Sequence, residues 1–250
     1  MILEFDYGNT RLKWRLLDAD SLECSAHGAV TDILDLVPSL QKAGCLKLQF
    51  CRACSVRSDA ENMQLTALIK RNYGVAITYA QSVKKIAGVT NGYLHANKLG
   101  VDRWLAIVAA YSKLKCACVV IDCGTAVTAD YIAADGQHLG GCIAPGLKML
   151  RAMLQKGTQL SIDAGTPLFS CELRLGCNTQ AAVDAGVVAM YRGFLGEQLK
   201  VAEELLGASF SVLCTGGDSA LVYAVTDKAV CEKDLVLSGL GIVCPQVAKE

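Results

Sequence analysis

Two short segments of this chain have nearly the same sequence, and the repetition limits the folds that the chain can adopt. Residues 2–10 read ILEFDYGNT and residues 119–128 read VVIDCGTAVT. Each is an apolar run that ends in Asp-x-Gly and Asn or Thr, a pattern typical of a strand, a tight turn and a second strand. One Asp-x-Gly is ordinary hairpin chemistry, whereas two copies in equivalent places indicate two similar α/β halves.

Each copy carries residue types suited to holding a phosphorylated ligand. Asp6 and Asp122 can bind a metal ion directly or through water. The glycine two residues later lets the backbone approach a phosphate, and the following Asn9 or Thr125 adds polar hydrogen-bonding groups. Two such turns facing each other would form a cleft that clamps a nucleoside triphosphate and its cation.

The composition is that of a compact α/β protein. The chain has 250 residues, of which 52% are hydrophobic and 19% are charged, which is enough apolar material for one large domain or two ordinary ones. The formal net charge is zero, so the charge balance gives no reason to expect nucleic acid or an anionic membrane as a partner.

No segment predicts a membrane span or secretion. Lys113 and Lys115 interrupt the best candidate span, residues 104–120, and a bilayer needs a longer uncharged stretch. The first predicted strand begins at once, with no basic region before an apolar one, so we expect a cytoplasmic location.

The 13 cysteines are scattered and lie mostly inside apolar runs. They are typical of small buried side chains in a reducing compartment. Cys51 and Cys54 form a Cys-x-x-Cys pair within the predicted strand 46–56, where residues three apart point to opposite faces. No second such pair follows, so a zinc or redox role is disfavoured.

Hydrophobic periodicity and turn residues predict the order of the elements. The first half contains the hairpin at 2–17, strands at 46–56 and 75–79, a helix from Asp59, and a helix within 99–115. The second half contains strands at 118–121, 126–133 and 211–215, a Gly-rich loop at 139–146, a helix at 147–154, and a surface excursion at 156–176. We therefore predict two lobes, residues 1–117 and 118–250.

A long helix is predicted from a cap at Asn178 or Thr179 to Leu206, with Gly207 as its stop. Its apolar stripe, which is typical of core packing, consists of Val183, Val187, Met190, Phe194 and Val201. Glycines cost stability inside a helix. Those at 186, 193 and 196 therefore indicate close approach of another helix, and a subunit contact is one alternative.

The ordered motifs resemble those of the type III pantothenate kinases, a family of the actin/Hsp70/sugar-kinase superfamily. The resemblance extends over essentially the full chain and rests on residues 6–13 (DYGNTRLK), 100–103 (GVDR), 122–128 (DCGTAVT), 140–146 (GGCIAPG), 178–179 (NT) and 215–217 (TGG). It implies two ribonuclease H-like lobes with the nucleotide cleft between them. It also implies ATP-dependent phosphorylation of pantothenate to 4′-phosphopantothenate, the first step of coenzyme A biosynthesis.

The same resemblance implies ATP, Mg²⁺ and a monovalent cation, K⁺ or NH₄⁺, as ligands. The residues expected around the nucleotide are Asp6, Tyr7, Gly8, Asn9, Thr10, Arg11, Leu12, Lys13, Gly124, Thr125, Gly216 and Gly217. Asp6 is the expected Mg²⁺ ligand and Asp122 the expected ligand of the monovalent cation.

For pantothenate, the residues that the resemblance implies are Tyr93, Gly100, Val101, Asp102, Arg103 and Thr179. Asp102 is the expected general base, and the Arg103 fork is expected to bind the substrate carboxylate or the transferring phosphate. In the family the position of Thr179 comes from the partner subunit, so a homodimer is expected to complete the site.

Plainer interpretations exist for several of these residues. Asp102 also fits the first turn of a helix, where negative charge is favourable, and Thr179 also fits a helix N-cap. Two rival functions are another small-molecule kinase or a phosphatase of the same superfamily, and a nucleotide-binding regulator without catalytic activity.

Overall fold

The computed structural model describes residues 1–163 and 175–246. It divides into two compact units, one of Met1–Ser112 with Asp234–Glu250 and one of Lys113–Lys233. The expected boundary lay after residue 117, and the C-terminal segment was expected in the second lobe. It groups instead with the first unit, because its helix packs against elements of that unit.

The first unit begins with seven strands and three helices. The strands are β1 Ile2–Tyr7, β2 Leu12–Leu17, β3 Cys24–Val30, β4 Phe50–Ser55, β5 Ile77–Tyr79, β6 Lys85–Ile86 and β7 Val89–Thr90. The helices are α1 Leu36–Lys42, α2 Asp59–Tyr73 and α3 Val101–Leu114.

The described part of the second unit contains five strands and two α-helices, and one more α-helix follows it. The strands are β8 Cys118–Cys123, β9 Ala126–Ile132, β10 His138–Pro145, β11 Ser211–Thr215 and β12 Ala229–Cys231. The helices are α4 Leu147–Gly157 and α5 Thr179–Leu206, and the C-terminal helix of the first unit is α6 Leu235–Val243.

Each unit contains its own five-stranded sheet, and the two sheets have equivalent strand orders. The five-stranded orders are β3-β2-β1-β4-β5 and β10-β9-β8-β11-β12. In each sheet, the strand that leads into the Asp-x-Gly turn, β1 or β8, is central. It is antiparallel to the strand that follows it in the chain, β2 or β9, and parallel to its other neighbour, β4 or β11. The predicted duplication is therefore confirmed, whereas the binding of a nucleotide between the copies stays a prediction.

In the first unit, β1 is buried on both faces. Leu3 and Phe5 belong to the main core cluster, while Glu4, on the other face, is fully buried. Glu4 accepts hydrogen bonds from Arg15 Nε at 2.6 Å and from Arg52 Nε at 2.8 Å. A buried carboxylate requires such pairing.

Helix α5 packs against the sheet of the second unit. Tyr191, Leu195 and Ala202 belong to its buried core. Four of the five residues of the predicted stripe lie in this cluster or pack against it, but Met190 is 64% exposed. The N-cap is Asn178, whose side chain accepts from Ala181 N, and Gly207 follows the last turn.

Several predictions differ from the structure. The predicted Gly-rich loop at 139–146 is wrong, because these residues form most of β10 and pair with β9. A register shift between His138 and Gly140, whose φ is +123°, accommodates the glycines. Strands β3 and β12 and helices α1 and α6 were not predicted. Much of the expected surface excursion at 156–176 lies outside the described residues.

Candidate active site

The first turn connects β1 and β2. Tyr7 and Leu12 are register partners, and Gly8 N–H donates to the Arg11 carbonyl at 3.2 Å. Asn9, Thr10 and Arg11 are exposed. The turn therefore presents the short polar side chains of Asn9 and Thr10 at the surface.

Asp6 and Lys13 face each other at the base of this turn. They are register partners, so their side chains share one face of the sheet. Lys13 Nζ lies 3.2 Å from Asp6 Oδ2, with the Asp6 side chain 14% exposed and that of Lys13 39% exposed. The pair therefore places a carboxylate beside an ammonium group at the end of β1.

The second turn is closed by three glycines. Gly124 N–H donates to the Ala126 carbonyl at 3.0 Å, and Gly146 N–H donates to the Thr125 carbonyl at 3.1 Å. A Cβ added to Gly146 would lie 2.5 Å from that carbonyl oxygen. At Gly216, where φ is +91°, a Cβ would lie 2.4 Å from the Cys123 carbonyl. No other residue type fits these two positions without displacing backbone.

The Asp122 carboxylate lies between two of these glycines. A Cβ on Gly216 would be 2.6 Å from Asp122 Oδ1, and one on Gly124 would be 3.3 Å from it. The register of β8 and β11 brings Asp122 beside Thr215, and Asp218 N–H donates to the Cys123 carbonyl at 3.1 Å. Asp122 and Gly216 are thus brought together. Gly217 is exposed and has open space around it.

Asp102 lies in the first turn of α3. Its Oδ1 accepts from Arg103 N–H at 2.8 Å, and a Cβ on Gly100 would be 2.7 Å from the same oxygen. Burial raises the pKa of the Asp102 carboxyl, the Arg103 N–H bond opposes the rise, and the negative charge of Asp6 adds to it. Burial is therefore the main cause of the raised pKa, and the charge of Asp6 is a smaller one.

Arg103 and Tyr93 form a second polar group beside Asp102. Arg103 is buried, and its Nη1 donates to the Tyr93 hydroxyl at 2.8 Å. The loop that carries Tyr93 is held by fully buried Asn91, which accepts from Tyr93 N–H at 3.0 Å and donates to the Val83 and Ala96 carbonyls. Val101, between Gly100 and Asp102, is half-buried.

Thr179 lies in the second unit, as the first residue of α5, and is exposed. It borders a groove of about 670 Å³ with Leu154, Leu160, Gly186 and Met190 among the lining residues. The groove is mainly apolar and runs along the N-terminal half of α5.

Arg57 and Asn91 make contacts at the candidate site, and the sequence analysis assigned neither residue to it. Arg57 Nη1 donates to the Asn9 carbonyl in the first turn at 2.8 Å. Arg57 lies outside every sequence motif. The one signal that could have indicated it is its position shortly after β4, the strand that pairs with β1. The sequence motif around Asn91 drew attention to Tyr93 rather than to the buried amide that holds it.

Neither a metal cluster nor a membrane span was found in the described ranges. No group of three or more His, Cys, Asp or Glu side chains there has the arrangement of a metal site. Within residues 1–163 and 175–246, no helix combines the length and apolarity needed to cross a bilayer. Cys51 belongs to the core cluster and Cys54 does not, in keeping with their expected opposite faces.

The duplicated sheet, with an Asp-Gly turn after each central strand, defines the fold class of the actin/Hsp70/sugar kinases. A protein assigned as a 2-dehydro-3-deoxygalactonokinase from Sinorhizobium meliloti has the same fold, with a TM-score of 0.53, 14% identity and coverage of 96% of this chain and 97% of that one. A protein assigned to the Baf family of transcriptional activators from Campylobacter jejuni has a TM-score of 0.59, 21% identity and 96% coverage of both chains.

The sequence comparisons define the family. The profile of the type III pantothenate kinases matches residues 2–200. A type III pantothenate kinase of Azotobacter vinelandii is 43% identical over 249 residues, which cover 98% of this chain and 99% of the relative. The chain belongs to the type III pantothenate kinase family, which confirms the resemblance predicted from its motifs.

Proposed function

We propose that this protein transfers the γ-phosphoryl group of ATP to the primary hydroxyl of pantothenate, as the first step of coenzyme A biosynthesis in the cytoplasm. Family membership over nearly the whole chain carries this conclusion. The arrangement of the first unit supports it, because Asp6 is paired with Lys13 at the first turn and Asp102 lies in the first turn of α3, and phosphoryl transfer uses a cation ligand and a base that orients the nucleophile.

The two turns are proposed to hold the phosphates of ATP. Gly8 and Gly124 let the backbone approach the phosphates, Asn9, Thr10 and Thr125 bring polar groups to them, and Lys13 supplies the positive charge. Tyr7, Arg11 and Leu12 frame the first turn. Gly216 and Gly217 are proposed to border the adenosine. Gly217 has open space around it, and Gly216 allows the close approach of the Cys123 backbone that positions the pair.

The cations fit the oxygen donors at each turn. The Asp6 carboxylate is partly exposed beside Lys13, as a Mg²⁺ ligand that also meets solvent and phosphate must be. The Asp122 carboxylate and the Cys123 carbonyl both lie beside Gly216, and oxygen donors of this kind suit K⁺ or NH₄⁺. Bound Mg²⁺ would supply charge neutralisation for the phosphates.

Asp102 is proposed as the general base. Its partial burial disfavours the charged carboxylate, which strengthens it as an acceptor for the proton of the pantothenate hydroxyl. Gly100 leaves the space that the Asp102 carboxylate occupies, and Val101 begins the helix that carries it. Catalysis and a helix start are therefore compatible roles.

Arg103 and Tyr93 are proposed to bind pantothenate. Since Arg103 is buried and hydrogen-bonded to the Tyr93 hydroxyl, its guanidinium is held in a fixed orientation. A fixed fork of this kind suits a carboxylate.

A homodimer is proposed to complete the pantothenate site with Thr179 of the partner subunit. The features that support it lie along α5, where Gly186, Met190 and Gly193 are exposed and follow one another at helical spacing. Added Cβ atoms on the two glycines would meet nothing within 4 Å. A second copy packing there would explain why glycines persist inside a 28-residue helix.

An acceptor panel tests the proposed reaction. The purified protein is incubated with ATP and Mg²⁺ and with pantothenate, glucose, N-acetylmannosamine or acetate, and the products are identified by mass spectrometry. A phosphorylated product from pantothenate alone is expected. Equal phosphorylation of a sugar or of acetate would contradict it, and ATP binding without any phosphorylated product would favour a regulator.

A further inference from the structure

Arg57 contacts the first turn from outside every motif. It follows β4, which runs parallel to β1 with Ser55 opposite Tyr7. Arg57 Nη1 donates to the Asn9 carbonyl at 2.8 Å, and the guanidinium carbon lies 5.4 Å from the centre of the Tyr7 ring. The side chain therefore contacts the turn at two places.

The bond to the Asn9 carbonyl fixes a peptide plane. In a trans peptide the carbonyl of one residue and the N–H of the next point in opposite directions. When Arg57 holds the Asn9 oxygen, the Thr10 N–H must point away from Arg57. The residues of this turn are exposed and follow a glycine, so the peptide would otherwise have freedom to rotate.

Glu61 fixes Arg57 in turn. Arg57 Nη2 forms an ion pair with Glu61 Oε1, and Glu61 Oε2 accepts from Ser58 N–H at 3.0 Å and from Ser58 Oγ at 2.7 Å in the capping box of α2. The Ser58 hydrogen bonds, and then Arg57, lower the pKa of Glu61. The guanidinium is thus charge-balanced, which favours a supporting role over direct contact with a phosphate.

We propose that Arg57 is a positioning residue for ATP, which fixes the backbone conformation of the first turn by holding the Asn9 carbonyl. The inference rests on the proposed function only in taking the turn at 8–10 as a phosphate site. It does not depend on which molecule accepts the phosphoryl group.

The test compares Arg57→Met and Arg57→Lys with Arg71→Met, which removes an exposed arginine from α2. Mg·ATP affinity is measured by calorimetry, and KM is measured separately for ATP and pantothenate. We expect Arg57→Met to weaken ATP binding about tenfold, the loss of one charge-assisted hydrogen bond, with KM for pantothenate unchanged. Arg57→Lys should recover part of the loss, because lysine can reach only one of the two partners.

ATP affinity equal to that of Arg71→Met would overturn the inference, as would no binding of ATP by the wild-type protein. If Arg57→Met also lowers the melting temperature, Glu61→Gln separates the two effects. That variant weakens the α2 cap, but the glutamine amide oxygen can still accept from Arg57 Nη2 and so keep the Asn9 contact. It should therefore lose thermal stability with ATP affinity retained. Loss of ATP affinity in proportion to melting temperature in both variants would reduce Arg57 to a structural role.

The calorimetric measurement also separates this inference from the proposed function. A wild-type protein that binds ATP but shows no pantothenate-dependent turnover would contradict the proposed reaction. The comparison of ATP affinities between the Arg57 variants would still decide the role of Arg57.

Discussion

Single residues at the candidate site combine a functional demand with a cost to folding, and Asp102 is the clearest case. Its pKa is raised chiefly by burial, so the folded protein binds a proton at this site more tightly than the unfolded chain. Stability is therefore lost as pH rises through the raised pKa. A base that must be ionised to act weakens the fold in which it acts.

The substitution Asp102→Asn removes both the destabilising buried charge and the proposed general base. We expect turnover to fall by about 100-fold or more, while the melting temperature at pH 7 rises because no charge is buried. Steady-state ADP formation and thermal unfolding of the same preparation measure the two effects. A variant with near-wild-type turnover would remove Asp102 as the base, and a lowered melting temperature would contradict the sign of its pKa shift.

The pH dependence of the wild-type enzyme provides an independent check. Because the Asp102 pKa is raised, the acidic limb of kcat/KM should fall at a higher pH than an ordinary aspartate would give. The profile is measured at constant K⁺ and Mg²⁺. An acidic limb at the pKa of a solvated aspartate would argue against a buried base.

Asp122 is the residue on which the monovalent cation is expected to depend. Asp122→Ala should abolish the difference between K⁺ and Na⁺ buffers in the rate of ADP formation, since its carboxylate is the proposed ligand. Asp227→Ala, an exposed aspartate of the same unit, is the matched control. Undiminished K⁺ activation in Asp122→Ala would contradict the assignment.

Among the elements, α6 supports the helix that carries Asp102. A Cβ on Gly239 of α6 would lie 2.0 Å from the Leu105 carbonyl of α3, so the two backbones touch. Arg52 Nη1 donates to the Cys244 carbonyl at 2.7 Å, just after the end of α6, while its other nitrogens bind Glu4. The C-terminal helix is thereby fixed between the sheet and α3.

Gly239→Ala tests this support. The added methyl group must push α6 from α3, and we expect a loss of about 1–3 kcal/mol in the free energy of unfolding, typical of overpacking. Turnover should fall more than ATP affinity, because α3 carries Asp102 and Arg103. Gly157→Ala, whose Cβ would meet nothing within 4 Å, is the control in a denaturant titration. Equal stability of the two variants would show that α3 and α6 do not touch as described.

How far the elements were predictable depended on whether local sequence specifies them. The two turns, α2, α3 and α5 have strong signals in their apolar runs and caps, and the structure confirms them. The short strand β3 and the helix α6 were missed because tertiary contacts specify them. Residues 139–146 were misread because glycine signals a loop locally, although pairing with β9 holds them as a strand.

The predictability of the candidate site also depended on whether local sequence or tertiary contacts specify a residue's role. Asp6, Asp102 and Asp122 stood in recognisable motifs, so sequence alone selected them. Arg57 and Asn91 act through bonds to backbone carbonyls, and such contacts require knowledge of where distant strands and loops meet. Sequence could not supply that.

At the scale of the whole molecule, the property to test is the proposed association of two copies of the chain through α5. Alanine stabilises a helix relative to glycine by about 1 kcal/mol when nothing opposes it, and the Cβ of Gly193→Ala would meet nothing within 4 Å of the single chain. If a second copy packs on this face, the methyl group should instead weaken the dimer. We expect faster dissociation in sedimentation velocity and loss of activity at a higher protein concentration than in the wild type.

The opposite result has a clear meaning. A Gly193→Ala variant that gains thermal stability and keeps its oligomeric state would exclude this face of α5 as the subunit contact. A wild-type monomer with full activity would contradict a pantothenate site shared between subunits.

The most direct test of the whole account is ADP release from ATP and Mg²⁺ by the wild-type protein, with and without pantothenate, in K⁺ buffer and then in Na⁺ buffer. We predict release that depends on pantothenate and is much faster in K⁺. Absence of pantothenate-dependent release in either buffer, from a folded protein that binds ATP, would contradict it.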